Sequence, residues 1–121
     1  MDRSEIARRG EDAAVAFLER VGMTIDDRNW RCPAGEIDIV AREGDTLVFV
    51  EVKTRRSERA GTAEDAVSPT KQRQVARVAK SYLVVHPEAP EALRFDVVAI
   101  KVLGVDRALL RHYRDAFGVA L

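Results

Sequence analysis

The run TLVFVEVKT, residues 46–54, is apolar on both of its faces. Alternate side chains of a strand point to opposite sides. Leu47 and Phe49 therefore share one face, and Val48, Val50 and Val52 share the other. A strand that buries both faces belongs inside a sheet covered on both sides. The flanking sequence offers the cover. Residues 4–21 place Ile6, Ala13, Ala14, Phe17, Leu18 and Val21 at helical spacing, with Ser4 as the expected N-cap and Gly22 as the stop. A second helix is expected from Ser68-Pro69, a cap followed by proline at the first helical position. Its buried face is Val75, Val78, Ala79, Tyr82 and Leu83, and it ends before Pro87.

Further strands are expected near residues 24–29, 36–41 and 94–102, with a turn over residues 42–45. Residues 108–117 fit helix or strand equally. The order helix, three strands, helix, strand predicts an α/β domain with a mixed β-sheet flanked by helices. A length of 121 residues suits one domain, 1–121. Within it, RRSERAGTAEDAV (residues 55–67) is polar and without period, and is expected to be a mobile loop.

Three charged residues interrupt the apolar strand pair: Asp38, Glu51 and Lys53. Glu51 and Lys53 extend the face of Leu47 and Phe49. With a four-residue turn, Ala41 would pair with Thr46. Asp38 would then oppose Phe49 and lie diagonal to Glu51 on the same face. A slip of one residue would send it to the other face. Two carboxylates on a half-buried face repel each other and lose hydration. A divalent cation, Mg²⁺ or Mn²⁺, relieves both problems. Lys53 could then hold an anionic oxygen or help position an attacking water, the parts of metal-assisted phosphodiester hydrolysis. The plainer alternative is an exposed Glu51–Lys53 salt bridge worth under ~1 kcal/mol, with Asp38 on the surface.

Totals narrow the field. Lys plus Arg is 20 and Asp plus Glu is 20, so bulk charge does not advertise nucleic-acid binding and a local patch must supply it. One cysteine, Cys32, excludes an internal disulfide and Cys-based zinc spacing, and fits a reducing cytoplasm. Neither an apolar leader nor a continuous apolar stretch of membrane-spanning length is present, so no membrane partner is expected.

Asp38 followed by Glu51-Val52-Lys53 resembles the PD-(D/E)-x-K nuclease signature, with Ile37 where the proline stands. Over nearly its full length the chain resembles the bacterial YraN-like family, assigned to this restriction-endonuclease-like fold. The matching segments are RRGEDAAVAFL (8–18), DRNWRCPAGEIDIVAREGDTLVFVEVKTR (27–55), SPTKQRQVARVAKSYL (68–83), RFDVVAI (94–100) and DAF (115–117). Within the wider fold the nearest parallel is the archaeal Holliday-junction resolvases, dimeric and metal-dependent. The resemblance implies that Asp38 and Glu51 bind the metal, aided by the Val52 carbonyl, and that Lys53 orients the water or stabilises developing charge. It also implies a further acidic ligand at Glu11. A symmetric cut of a junction needs two sites, so such an enzyme would act as a homodimer.

Other residues carry two readings each. Glu11 lies on the edge of the first helix's buried stripe, or pairs with Arg8. Glu36 joins the acidic cluster, or faces water. Arg55, Arg56 and Arg59 follow the Glu51-x-Lys53 motif and would flank a phosphate backbone if the loop folds over the site. Lys71, Arg73, Arg77 and Lys80 lie off the apolar face of the second helix, as solvated surface or as DNA contacts. Gln72 is a polar candidate for the site. Asp96 is expected to pair with Arg94 or another arginine, and Trp30 to pack in or beside the core. His86, His112 and Cys32 have no ligand-spaced partner. Two functions therefore stand side by side: a Mg²⁺- or Mn²⁺-dependent DNA nuclease, or a binding module of the same fold that grips nucleic acid or protein without cutting. A third is a scaffold that docks a partner through its apolar tail.

Overall fold

The computed structural model describes residues 2–56 and 67–118. Helix α1 (Arg3–Arg20) leads into strands β1 (Thr24–Cys32), β2 (Gly35–Glu43) and β3 (Thr46–Arg55). Helix α2 (Pro69–Val85) follows, then β4 (Ala92–Gly104) and β5 (Arg107–Tyr113). The five strands form one sheet in the order β1-β2-β3-β4-β5. All neighbours are antiparallel except β3 and β4, which run parallel with α2 as the crossover. Among the described residues two helices flank this mixed sheet, which is consistent with a restriction-endonuclease-like fold. The ambiguous tail is a strand, β5, and Leu110 within it packs against the core. No helix among the described residues is long and apolar enough to cross a membrane.

β3 lies at the centre, as its two apolar faces require. Val48 and Val50 pack with Ala14 and Leu18 of α1. Leu47 and Phe49 pack with Val75, Val78, Ala79 and Tyr82 of α2. Trp30 borders this second core and meets the Tyr82 ring edge-on at 5.1 Å.

The helix caps differ at one end. Asp2, not Ser4, caps α1, its carboxylate accepting from Glu5 N at 2.9 Å. An aspartate there also meets the positive end of the helix dipole, which a serine two residues later does not. Ser68 caps α2 as expected, accepting from Lys71 N at 3.1 Å, with Pro69 opening the helix. α1 crosses β3 at Gly10, where a Cβ would stand 2.1 Å from Thr54 Oγ1, so only glycine lets the helix come this close.

The β2–β3 turn is shorter than the spacing suggested. Glu43 pairs with Thr46, leaving Gly44 and Asp45 as a two-residue loop with Gly44 at φ 58°. Hairpin turns of this length need such a backbone. Ala41 therefore pairs with Val48 instead of Thr46. The slip is two residues, so the paired side chains from Ile39 to Glu43 keep their faces. Of the residues 55–67 expected as a loop, Arg55 belongs to β3 and Val67 is buried with Val97. Residues 57–66, including Arg59, lie outside the described residues.

Candidate metal and phosphate site

The regular β2–β3 pairing ends at Ile39 and Val50, one position short of Asp38 and Glu51. Here β2 departs from simple alternation. Ile37 packs in the α2-side core and Ile39 in the α1-side core, although residues two apart normally share a face. On the neighbouring strand Arg28 pairs with Ile39 and Trp30 with Ile37, so Asn29 lies opposite Asp38. Asn29 adopts a left-handed backbone, φ 52°. Asparagine tolerates that conformation better than most residues. The strand thus turns over at Asp38, and its carboxylate serves both sides of the sheet end.

On one side is Glu51. Asp38 Oδ2 accepts from the Val52 backbone N–H at 2.7 Å. Glu51 is 9 % exposed, and its Oε1 is buried with no hydrogen-bond partner among the described residues. Burial, then the adjacent Asp38 charge, pushes Glu51 up to about 8, with Lys71 acting the other way. Burial also raises Asp38, and the charges of Glu11 and Glu36 add to this, while the Val52 hydrogen bond and Lys71 oppose it.

On the other side is a cleft of about 670 Å³ lined by Arg3, Glu11, Asp38, Val52, Lys53 and Arg56, among others. Lys53 is exposed on its wall. Glu11 is bound by β1, not by Arg8: Asn29 Nδ2 donates at 2.7 Å and Arg28 Nη2 at 3.3 Å. Arg28 also holds Asp12 at 2.6 Å. Glu36 makes a half-exposed pair with Arg31 at 3.3 Å.

These donors suit a hard divalent cation. Two desolvated carboxylates converge, and one buried oxygen among them has no partner. Such a site favours an added positive charge that oxygen can ligate. Among the described residues no group of three or more His, Cys, Asp and Glu is set to hold a metal ion. Asp38 and Glu51 would therefore supply two ligands and water much of the remainder, which is the habit of Mg²⁺. Glu11 lines the same cleft as Asp38, and its charge acts on Asp38.

The basic candidates scatter. Arg55 lies within β3, opposite Lys101 of β4, and Arg56 is exposed at the cleft. Gln72 Nε2 donates to the Val67 carbonyl at 3.0 Å and so pins the start of α2. Arg73 turns to Thr70 Oγ1 at 3.2 Å on the exposed flank. Lys71, expected on the outer flank, turns inward, with Nζ 3.8 Å from Glu51 Oε2.

Sequence periodicity missed Lys71 because a long side chain near a helix start is not bound to one face. It also missed Arg28 and Asn29, whose only sequence signal is an asparagine inside a strand. The family's sequence profile matches residues 10–100, three quarters of the chain, including Glu11, Asp38, Glu51, Lys53 and Lys71. The chain belongs to the uncharacterised protein family UPF0102. A UPF0102 protein of Geobacter sulfurreducens is 50 % identical over 112 residues, covering 93 % of this chain and 88 % of its own. One of Kineococcus radiotolerans is 48 % identical over 111 residues, 91 % of each. One of Frankia casuarinae is 42 % identical over 115 residues, covering 95 % of this chain and 98 % of its own. The UPF0102 likeness therefore runs through both helices and the sheet, not only through the acidic strand pair.

Asp96 of β4, paired with Val50 on the neighbouring strand β3, is structural. It is fully buried. Arg94 donates to it twice, at 2.8 and 3.0 Å, and His112 Nε2 lies at 2.7 Å. Asp115 N donates at 2.9 Å. Burial alone would raise this acid, but the His112, Arg94 and Asp115 bonds outweigh it and bring it down to about 2. Arg94 also binds Glu43, which Arg114 and Arg94 together lower to about 2. His86 stacks on Tyr82, and Cys32 borders the α2-side core.

Proposed function

We propose that this chain is a divalent-cation-dependent nuclease that hydrolyses phosphodiester bonds of DNA, with branched and junction structures as the first substrates to test. The observation that carries the reading is the half-buried Asp38 beside the buried Glu51, whose Oε1 has no partner among the described residues, next to a cleft walled by Lys53. A bound Mg²⁺ or Mn²⁺ supplies activation of water and neutralisation of phosphate charge. The chain's own residues supply the rest. Asp38 and Glu51 hold the ion, with Glu11 and the Val52 carbonyl as additional oxygen donors. Lys53 orients the attacking water or stabilises charge on the phosphate. Arg55, Arg56 and Arg73 offer contacts to the backbone on either side. A junction cut on two strands would use two copies of the chain.

A second reading has its own support. Lys71 already gives Glu51 a counter-charge, and among the described residues no group of three acidic ligands is assembled. A module that binds nucleic acid without cutting would need no more. The test is cleavage of single-stranded, duplex, flap and four-way-junction DNA with Mn²⁺ and with Mg²⁺, comparing wild type with Asp38→Ala and Lys53→Ala. Cleavage lost in both variants supports the nuclease. Binding without cleavage by wild type favours the module.

A further inference from the structure

We infer that Lys71 is a built-in counter-ion of the Asp38–Glu51 pair, and that a divalent cation must displace it to bind. The inference rests on the cation-site reading above and names a residue that tunes it. Its Nζ lies 3.8 Å from Glu51 Oε2 and 3.4 Å from Gln74 Oε1. Gln74 is itself tethered, donating to the Ala34 carbonyl of the β1–β2 turn at 3.4 Å. The ammonium thus stands between an acid and a neutral acceptor on its own helix.

Its position in α2 needs explaining. Lys71 sits in the first turn, and that turn contains no acidic residue. A cation at a helix N-terminus opposes the dipole, so helix formation gives no reason for it. The reason lies across the gap, in the half-buried Asp38 and the buried Glu51, whose Oε1 has no partner among the described residues. The ammonium directs positive charge at that pair.

The consequence follows from charge counting. Without a cation, one ammonium faces the two carboxyl groups. When a divalent ion enters, the same ammonium becomes a like charge a few ångströms away. Lys71 then moves off Glu51. Its four-carbon stem and the Gln74 amide allow this without movement of the helix. The displaced ammonium is left at the mouth of the site, where a phosphate oxygen is a suitable partner.

The test is Mn²⁺ titration by calorimetry on wild type, Lys71→Met, Lys71→Gln and Lys71→Arg, with folding followed by circular dichroism. Removing the competing charge should tighten Mn²⁺ binding by about tenfold in both neutral variants, while Lys71→Arg stays within about twofold of wild type. In chelator, the neutral variants should melt at lower temperature than wild type. Mn²⁺ affinity unchanged or weakened in Lys71→Met and Lys71→Gln overturns the inference and leaves the cation site standing. Absence of Mn²⁺ binding in wild type and all variants overturns both.

Discussion

Asp38 of β2 accepts a hydrogen bond from the backbone N–H of Val52 in β3, 2.7 Å away, where the regular pairing of the two strands has already stopped. One carboxylate therefore closes the strand pair and faces Glu51. The two roles separate by substitution. Asp38→Asn keeps an oxygen acceptor for Val52 but removes the charge. It should abolish cleavage while melting in chelator at or above the wild-type temperature. Asp38→Ala should lose cleavage and also about 1–3 kcal/mol of stability, the cost of an unpaired buried N–H. If Asp38→Asn melts as low as Asp38→Ala, charge repulsion is not what governs this position.

Glu51 sets a pH dependence. Its folded pKa, about 8, lies above its ordinary 4.5, because burial and Asp38 disfavour the charged form. A raised acid contributes fully below the unfolded value and loses that contribution as pH rises to the folded one. Cation-free protein should therefore lose on the order of a few kcal/mol between about pH 4.5 and about pH 8. Denaturant unfolding in chelator across this window would show it. Glu51→Gln should flatten the slope, and saturating Mn²⁺ should flatten it in wild type.

Asp96 gives the opposite sign. Its folded pKa, about 2, lies below its ordinary 3.8. Its contribution is present above about pH 4 and fades as pH falls toward about 2. Asp96→Ala should cost about 3–5 kcal/mol near neutrality, since it removes the buried partner of two Arg94 hydrogen bonds, of His112 and of the Asp115 N–H. A melting temperature within a few degrees of wild type would contradict the role assigned to this acid.

The α1–β3 crossing should be sensitive at Gly10. A Cβ there meets Thr54 Oγ1 at 2.1 Å and Thr54 Cβ at 3.1 Å. Gly10→Ala should destabilise by about 1–3 kcal/mol and weaken cleavage, because α1 carries Glu11 to the cleft. Pairing it with Thr54→Ala removes the nearest atom, so the double variant should recover part of the loss. Strict additivity in that cycle would exclude direct contact as the cause.

Much of this architecture was legible in residue order. A strand apolar on both faces dictates a central position and helices on either side, and β3 occupies that position. Ser68-Pro69 marked the start of α2 because capping is local chemistry. Local chemistry was less decisive at α1, where Asp2 competes with Ser4 and the charged side chain meets the dipole two residues earlier. The pairing of Asp38 with Glu51 could be anticipated only to within a slip of two. Turn length is set by one glycine's backbone, and strand alternation tolerates an even error.

What residue order alone determined is the set of faces: which side chains point together along each helix and strand. The tertiary structure decided where the sheet breaks that rule. β2 turns over at Asp38, opposite the left-handed Asn29, and thereby presents one carboxylate to Glu51 and to the cleft of Glu11 and Lys53. It also decided that Lys71 faces inward. Both outcomes arise from residues brought together across elements apart in the chain. Periodicity cannot carry that information, because it records only the neighbours each residue has along its own element.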